Sequence, residues 1–548
     1  KDPHGEDTFT LYYGMFATHA ATIHGVMDQL EQRWDKNQEY QAVLFDCYSA
    51  YFSQRESLLR PSVTATIQQL FKKHDRSTCN LTRSGCSFLM RLCEDENRLF
   101  YQFFTRPSEL LHEFTERMCR LFCDCVRPLI IHIPHLETLA ELSSILKIEM
   151  LEERCSVETD VYDGLVAVLL EISGDVGERL VYRAHMYAQS DILRYNPAPG
   201  DLAYPEKLKM MQDIAKNTGN QKPIEHHHRQ PSTASLNSVT SVEVAGINQE
   251  TEQRKLEKGV SAADLHGLWY PTVRRTVLCL SKLYRCLDVQ VFQGLSQDVL
   301  SLCTQSLHEA KRKIEQTKKP LDAQLFLVKH LLILREQTSP FRSNMSVKET
   351  SVDFSKIKDS AYNFMQQKSR WFSLSSNNAF LELLVQVPAH VSESVVDTRR
   401  VLDLELKDAC QKLITDATNI VVLELNDFFK KADVIVSIMK KDTGSTEGLG
   451  PMALRNQPFA NPEALKNLVS QAYRKLKDFV PILKTSLTLY IGNSETENIL
   501  FAPIRKNVQT AFHRFAELVK DQYTEEELQV IGCPTNEQIN ILLLAGGE

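Results

Sequence analysis

The sequence lacks any run of apolar residues long enough to span a lipid bilayer. Its densest apolar stretches are Leu165–Leu170 and Leu325–Leu334, and Lys329 and His330 interrupt the second one. A membrane-spanning helix needs about 20 consecutive apolar residues, and no signal-peptide pattern opens the chain. We therefore expect any association with a membrane to be peripheral or to come through a partner.

The chain also lacks an excess of positive charge. It carries 63 Lys and Arg against 70 Asp and Glu, a formal net charge of −7. Binding to nucleic acid draws on concentrated Lys and Arg, and a lipid-headgroup patch normally needs a cluster of about four to eight basic residues. The basic groups at 311–313, 318–319 and 505–506 are smaller, so we predict no nucleic-acid partner.

Thirteen cysteines are spread through the chain without a single Cys-x-x-Cys pair. Structural zinc sites are usually built on such pairs, and a disulfide scaffold would be short and much denser in cysteine. We interpret these thiols as small buried hydrophobic side chains.

The motifs that catalysis commonly uses are missing as well. There is no Walker-type phosphate loop, no G-x-G-x-x-G, no G-x-S-x-G and no H-E-x-x-H. The glycine-containing loop 444–450 lacks the lysine and the flanking strand of a phosphate loop. The sequence therefore predicts no catalytic residue, no bound cofactor and no enzyme activity.

Two fragments have the spacing of metal ligands. Glu109 and His112 match the Glu-x-x-His pattern of di-iron bundles, which requires a second such pair on another helix. The second match in the chain, Glu225 with His228, belongs to a polar stretch and overlaps the triple histidine 226–228. Without rigid second-shell support such a cluster is a weak ligand set, so we interpret all of these residues as solvated and predict no metal site.

Apolar residues return every three to four positions along most of the chain, the spacing of one helix face. We expect helix boundaries at Pro61 and at the Ser84–Gly85 pair, since Pro and Gly interrupt helices. The first helix has the predicted inner stripe Phe9, Tyr13, Phe16, Ala20, Ile23, Met27, Leu30 and Trp34. Later helices are predicted at 40–59, 62–74, 84–104, 108–126, 136–151, 161–195, 263–287, 297–316, 321–336, 356–374, 379–386, 462–489, 497–522 and 525–531.

The stretch between Pro388 and Gly444 contains neither Pro nor Gly. Its apolar residues recur in steps of three or four at Leu402, Leu406, Cys410, Leu413, Ala417, Val421, Leu425, Phe428, Ala432, Ile435 and Met439. A helix of this length runs on the order of 60 Å, and its stripe drifts as in a straight helix, which favours packing in a bundle over a two-stranded coiled coil. We therefore predict an all-α fold, an elongated stack of helical bundles.

One long polar segment interrupts the helical pattern, and we expect it to be a disordered loop. Residues 217–260 are poor in large apolar side chains and rich in Ser and Thr. We accordingly divide the chain into N-terminal helical bundles at 1–216, a linker at 217–260 and C-terminal bundles at 261–548. Within the linker, Arg229-Gln-Pro-Ser232 has the form of a basic-directed kinase site, so Ser232 is a candidate for phosphorylation.

Four stretches carry a resemblance to a known family. They are 5–14 (GEDTFTLYYG), 129–135 (LIIHIPH), 193–202 (LRYNPAPGDL) and 264–271 (DLHGLWYP). Over essentially its whole length, the chain resembles the third subunits of the conserved oligomeric Golgi complex. These proteins belong to the family of helical-rod tethering subunits. Full-length members have an upstream coiled-coil region, which we expect to be missing here.

The resemblance implies a role without catalysis. Such subunits assemble into a peripheral complex on the cytosolic face of the Golgi apparatus, which captures vesicles in intra-Golgi retrograde transport and maintains glycosylation enzymes in their cisternae. The implied partners are the other subunits of the complex, SNAREs, Rab GTPases and coat proteins.

Two other functions stay open from the residues alone. A helical enzyme or small-molecule carrier would need polar residues converging in an apolar cavity. A helical repeat adaptor of another trafficking assembly would show a fixed period of about 34–47 residues, whereas the predicted helices are unequal in length.

Overall fold

The computed structural model describes residues 6–156, 159–219, 268–341, 398–442 and 454–544 of the 548-residue chain. Every regular element in these ranges is helical, which confirms the predicted all-α class. The α-helices are α1 (Glu6–Glu31), α2 (Gln38–Lys73), α3 (Thr78–Phe103), α4 (Glu109–His132), α5 (Leu136–Ser144), α6 (Thr159–Tyr187), α7 (Glu206–Gly219), α8 (Pro271–Leu283), α9 (Val289–Thr317), α10 (Pro320–Gln337), α11 (Thr398–Asp442), α12 (Pro462–Ile491), α13 (Ser494–Gln522), α14 (Glu525–Ile531) and α15 (Asn536–Leu544). Short 3₁₀ and π-helical turns join some of them, among them the π-helix Ile145–Cys155 that continues α5.

The helices form two compact units. The first comprises Lys1–Tyr187 with Cys279–Leu295, and the second Ala188–Leu278 with Ser296–Glu548. In the first unit α4 packs along α6, α2 packs on α4, and α1 packs on α2 and α3. In the second unit α11 packs against α10, α12 and α13.

An aromatic core holds α1, α2 and α3 together. Tyr51 makes edge-on or tilted ring contacts with Phe16, Phe52 and Phe103, and Phe52 stacks on Phe100. Aromatic rings bury large areas, and such pairs contribute about 0.5–1.5 kcal/mol beyond that burial.

The end of α1 is fixed by the carboxylate of Glu31. This buried side chain accepts hydrogen bonds from the Tyr48 hydroxyl at 3.0 Å, the Thr105 amide at 2.9 Å and the Arg106 amide at 3.3 Å. Burial and the nearby Glu31 carboxylate raise the pKa of Tyr48. Because the carboxylate satisfies donors on α2 and on the connection between α3 and α4, α1 cannot shift along its axis without breaking these bonds.

The long C-terminal helix predicted from the sequence is confirmed as α11. All nine apolar stripe residues from Leu402 to Ala432 are at most 3% exposed. They face three neighbouring helices of the second unit, so the stripe is the core side of a bundle.

The boundary predicted at Pro61 is wrong, because α2 continues through this proline from Gln38 to Lys73. A proline inside a helix removes one backbone hydrogen bond and costs about 3 kcal/mol. Here Leu59, Ser62 and Val63 are buried on either side of it. Their packing holds the helix together, and Pro128, Pro481 and Pro503 likewise lie inside α4, α12 and α13.

The boundary predicted at Ser84–Gly85 is also wrong. Gly85 lies inside α3 and is buried, and a Cβ placed on it would collide with the ring of Phe122 on α4. The glycine therefore serves a close helix–helix contact rather than a helix end.

Several helices differ from the predicted set. The sequence pattern does not predict α7 or α15, and α9 begins at Val289, eight residues before the predicted position. The predicted helices 356–374 and 379–386 lie outside the described residues. None of the helices in the described ranges combines the length and the apolar character that crossing a bilayer requires.

Candidate docking surfaces

The structure places the candidate metal pair at the surface. Ser108 caps α4 by accepting a hydrogen bond from the Leu110 amide at 3.3 Å. Glu109 is the first residue of α4 and its side chain is exposed, whereas His112, one turn later, is half-buried. Over the described ranges no group of three or more His, Cys, Asp or Glu side chains could hold a metal ion. Glu225, His226–His228 and Ser232 lie outside the described residues.

The cysteines are mostly buried, as the sequence predicted, and all thirteen are free thiols. Burial raises the pKa of the Cys86 thiol to about 12 and that of Cys303 to about 11. The sulfur atoms of Cys93 and Cys119 lie 3.9 Å apart in the core of the first unit. A thiol with a raised pKa in an apolar core is a poor nucleophile, so Cys86 and Cys303 are packing elements.

His330 in the second unit is buried, as many active-site histidines are, but both of its ring nitrogens are already hydrogen-bonded within the protein. The Nδ1 of His330 donates to the Phe326 carbonyl oxygen at 2.8 Å, and its Nε2 accepts from the Tyr270 amide at 3.0 Å. Complete burial lowers the pKa of His330 to about 3. The neutral imidazole is therefore fully used in joining α10 to the start of α8.

An ion pair is buried in the first unit. The guanidinium of Arg55 on α2 donates from Nε to Glu96 on α3 at 3.0 Å and from a second nitrogen to the other carboxylate oxygen, and it also reaches the Tyr12 carbonyl oxygen of α1 at 3.3 Å. The two side chains are 1% and 3% exposed. Burial raises the pKa of Glu96, and Arg55 opposes that shift. The pair links three helices and has no access to a substrate.

Exposed apolar side chains mark the first candidate docking surface, on α1. The inner side of this helix meets α2 and α3, with Ala20 and Met27 buried. On its outer side Leu11 is 58% exposed, Met15 57% and Val26 57%. We call the exposed positions Leu11, Met15, Thr18, Thr22 and Val26 the outer face of α1.

The outer face of α1 contains no Asp, Glu, Lys or Arg. Leu11, Met15 and Val26 are apolar, Thr18 and Thr22 are uncharged polar residues, and the exposed His19 lies beside them. Thr8–Met27 contains no Asp, Glu, Lys or Arg, and this 20-residue run is the longest of its kind in the chain. A surface helix normally carries charged residues on the side that faces water. The inner stripe predicted from apolar periodicity is wrong at two positions, because Ile23 is 38% exposed and Trp34 lies beyond the end of α1. Counting charges along the same residues would have identified the uncharged run.

A second candidate docking surface is an open groove between α11 and α12. Ile420 and Leu423 on α11 face Phe479 and Ile482 on α12 across a space of about 420 Å³. At its edge Lys475 forms an ion pair with Glu424, and this contact lowers the pKa of the Glu424 carboxyl. Asn419 and Asp478 complete the lining, so the groove combines apolar and polar residues.

The fold and these surfaces define the class of protein. It is a helical-bundle protein with exposed apolar helix faces of the kind that bind other proteins. The model of the family "Conserved oligomeric Golgi complex subunit 3, C-terminal" matches residues 9–357, and that of its C-terminal cap domain matches residues 405–543. The chain therefore belongs to the family of conserved oligomeric Golgi complex subunit 3.

Relatives in distant eukaryotes agree with this assignment. Conserved oligomeric Golgi complex subunit 3 of Mus musculus is 42% identical over 99% of this chain and 66% of its own length. The Drosophila melanogaster subunit is 41% identical over 98% of the chain and 59% of its own length, and the Saccharomyces cerevisiae subunit 23% identical over 76% and 54%. The chain thus spans about half to two thirds of these relatives. No solved structure matches it.

Proposed function

We propose that this chain is part of a non-catalytic subunit of a vesicle-tethering complex that acts in intra-Golgi retrograde transport and maintains Golgi glycosylation enzymes. The observation that carries the proposal is the match of the family models to residues 9–357 and 405–543. The all-helical architecture suits the role, because helix faces and interhelical grooves can bind several proteins at once.

The partners follow from the same proposal. The other subunits of the complex bind this chain directly, and SNAREs, Rab GTPases and coat proteins bind the assembled complex. The protein lies on the cytosolic face of the Golgi apparatus, and its contact with the membrane comes through these partners.

Depletion and replacement in cells test the proposal. The tagged full-length protein should co-purify with the other subunits of the complex, and its depletion should displace Golgi glycosyltransferases and reduce mature glycans at the cell surface, measured by lectin binding. Re-expression should restore both. A tagged protein that purifies without the other subunits, together with normal glycans after depletion, would contradict the proposed function.

We further propose that Ser232 is a phosphorylation site that tunes docking of the linker, since a phosphate adds about −1.5 to −2 charge at neutral pH. Phosphopeptide mapping of the protein from cells tests this. A linker recovered in full and always unmodified would exclude it.

A further inference from the structure

The outer face of α1 presents a conflict between composition and exposure. A surface helix normally carries charged and polar residues on the side that faces water. Between Asp7 and Asp28 α1 has no charged residue, yet in the described structure only α2 and α3 pack extensively against it. Exposed apolar side chains that share one face of a helix mark an interaction surface better than scattered ones do, and Leu11, Met15 and Val26 are more than half exposed along one face of α1.

We propose that the outer face of α1 is a docking seam for an uncharged face of an α-helix from another subunit of the complex. This inference rests on the proposed function and adds to it the location of one intersubunit contact. The uncharged partner face follows from the seam itself, because a Lys, Arg, Asp or Glu buried against it would find no opposite charge.

The spacing on α1 fits a helix as the occupant. Leu11, Met15, Thr18, Thr22 and Val26 follow one another in steps of four, three, four and four, close to the repeat by which two helices pack side by side at a small angle. Gly14 and Gly25 lie exposed beside this row, and a Cβ on either would meet nothing within 4 Å. These glycines leave room for a second helix to approach the backbone at two points about 16 Å apart.

Other occupants fit the face less well. A helix that lies on a lipid surface is rich in Lys and Arg beside its apolar side, and α1 contains neither. An added β-strand needs unpaired backbone groups at a sheet edge, whereas the backbone of α1 is hydrogen-bonded within the helix. A subunit of an oligomeric complex needs at least one surface for its neighbours, and this seam lies within Thr8–Met27, the longest run of the chain without Asp, Glu, Lys or Arg.

Charge insertion in the full-length protein, expressed with the complete complex, tests the seam. Leu11→Glu and Met15→Glu should each lower co-purification of the other subunits by about tenfold or more, since a buried unpaired carboxylate weakens binding by at least 1.4 kcal/mol. The matched control is Leu170→Glu on α6, where the leucine is also 58% exposed. The control should co-purify like the wild type, and all three variants should keep the wild-type thermal midpoint.

A photo-crosslinking amino acid at Thr22 identifies the occupant directly. A crosslink to another subunit supports the inference. Crosslinks confined to a second copy, to another segment of the same chain or to lipid would overturn it, as would Leu11→Glu behaving like Leu170→Glu. If the wild-type protein itself co-purifies with no other subunit, both the proposed function and the inference about the seam are wrong. This result differs from one in which the wild type co-purifies with the other subunits and the Leu11→Glu variant does so equally well, which contradicts the seam alone.

Discussion

At the scale of single residues, His330 makes the stability of the second unit depend on pH. Its pKa is lowered from an ordinary value of 6.5 to about 3 by burial, so below pH 6.5 the unfolded chain binds a proton that the folded chain does not. The free energy of unfolding should therefore fall as the pH falls, by roughly 1.4 kcal/mol between pH 7.5 and 5.5 from this residue alone.

Urea denaturation of the wild type and of His330→Gln at both pH values isolates this contribution. Gln retains an oxygen that can accept the Tyr270 amide but has no proton to bind in this range. We expect the wild type to lose about 1.4 kcal/mol more than the variant over the two pH units. Equal losses in the two proteins would show that His330 is not the titrating group.

The buried pair of Arg55 and Glu96 makes a second prediction at this scale. Glu96→Ala should destabilise the protein by about 3–5 kcal/mol, because it leaves the Arg55 charge buried without its carboxylate. The double variant Arg55→Met with Glu96→Leu should lie much closer to the wild type, since it removes both charges and keeps the volume. Urea denaturation measures both, and a double variant as unstable as Glu96→Ala would contradict this prediction.

At the scale of whole elements, a glycine sets the distance between α4 and α6. A Cβ at Gly164 on α6 would lie 2.6 Å from the His112 carbonyl oxygen and 2.7 Å from the Glu116 amide nitrogen of α4. Backbone atoms of a packed helix cannot move aside alone, so Gly164→Ala should destabilise the first unit by about 1–3 kcal/mol.

Gly177, about four turns further along the same helix, provides the control. A Cβ there would meet nothing within 4 Å, so Gly177→Ala should stabilise the protein by about 0.5–1 kcal/mol through the better helix propensity of alanine. Thermal unfolding followed by circular dichroism measures both variants. A higher midpoint for Gly164→Ala would rule out the close contact.

The helices also show which features local sequence rules predict correctly and which they do not. Periodicity predicted α11 with its buried stripe, and the rules for Pro and Gly misplaced boundaries at Pro61 and Gly85. Both residues lie inside helices because contacts with other helices outweigh local propensity. The ring of Phe122 occupies the space that a Cβ at position 85 would take. Phe122 is distant from Gly85 in the sequence, so no local pattern connects the two residues.

At the scale of the whole molecule, the division into 1–216, 217–260 and 261–548 and the elongated stacking stay predictions. Limited proteolysis with trypsin tests the division, because the proposed linker contains Arg229, Arg254, Lys255 and Lys258. We expect the first cuts there. The internal control is α4, where Arg120 and Arg127 form ion pairs with Glu171 of α6 and should be cut much later. First cuts inside α4 would contradict the division.

The sequence by itself determined the helical class, the long α11 and the lack of recognisable catalytic motifs, because repeated apolar spacing and motif composition are local properties. Only the tertiary structure decided which helices run through their prolines, where His330 finds its two partners, and which side of α1 remains exposed. These outcomes depend on contacts between residues far apart in the chain, and the free energy of that packing, several kcal/mol at a single site, exceeds the local preferences that a sequence displays.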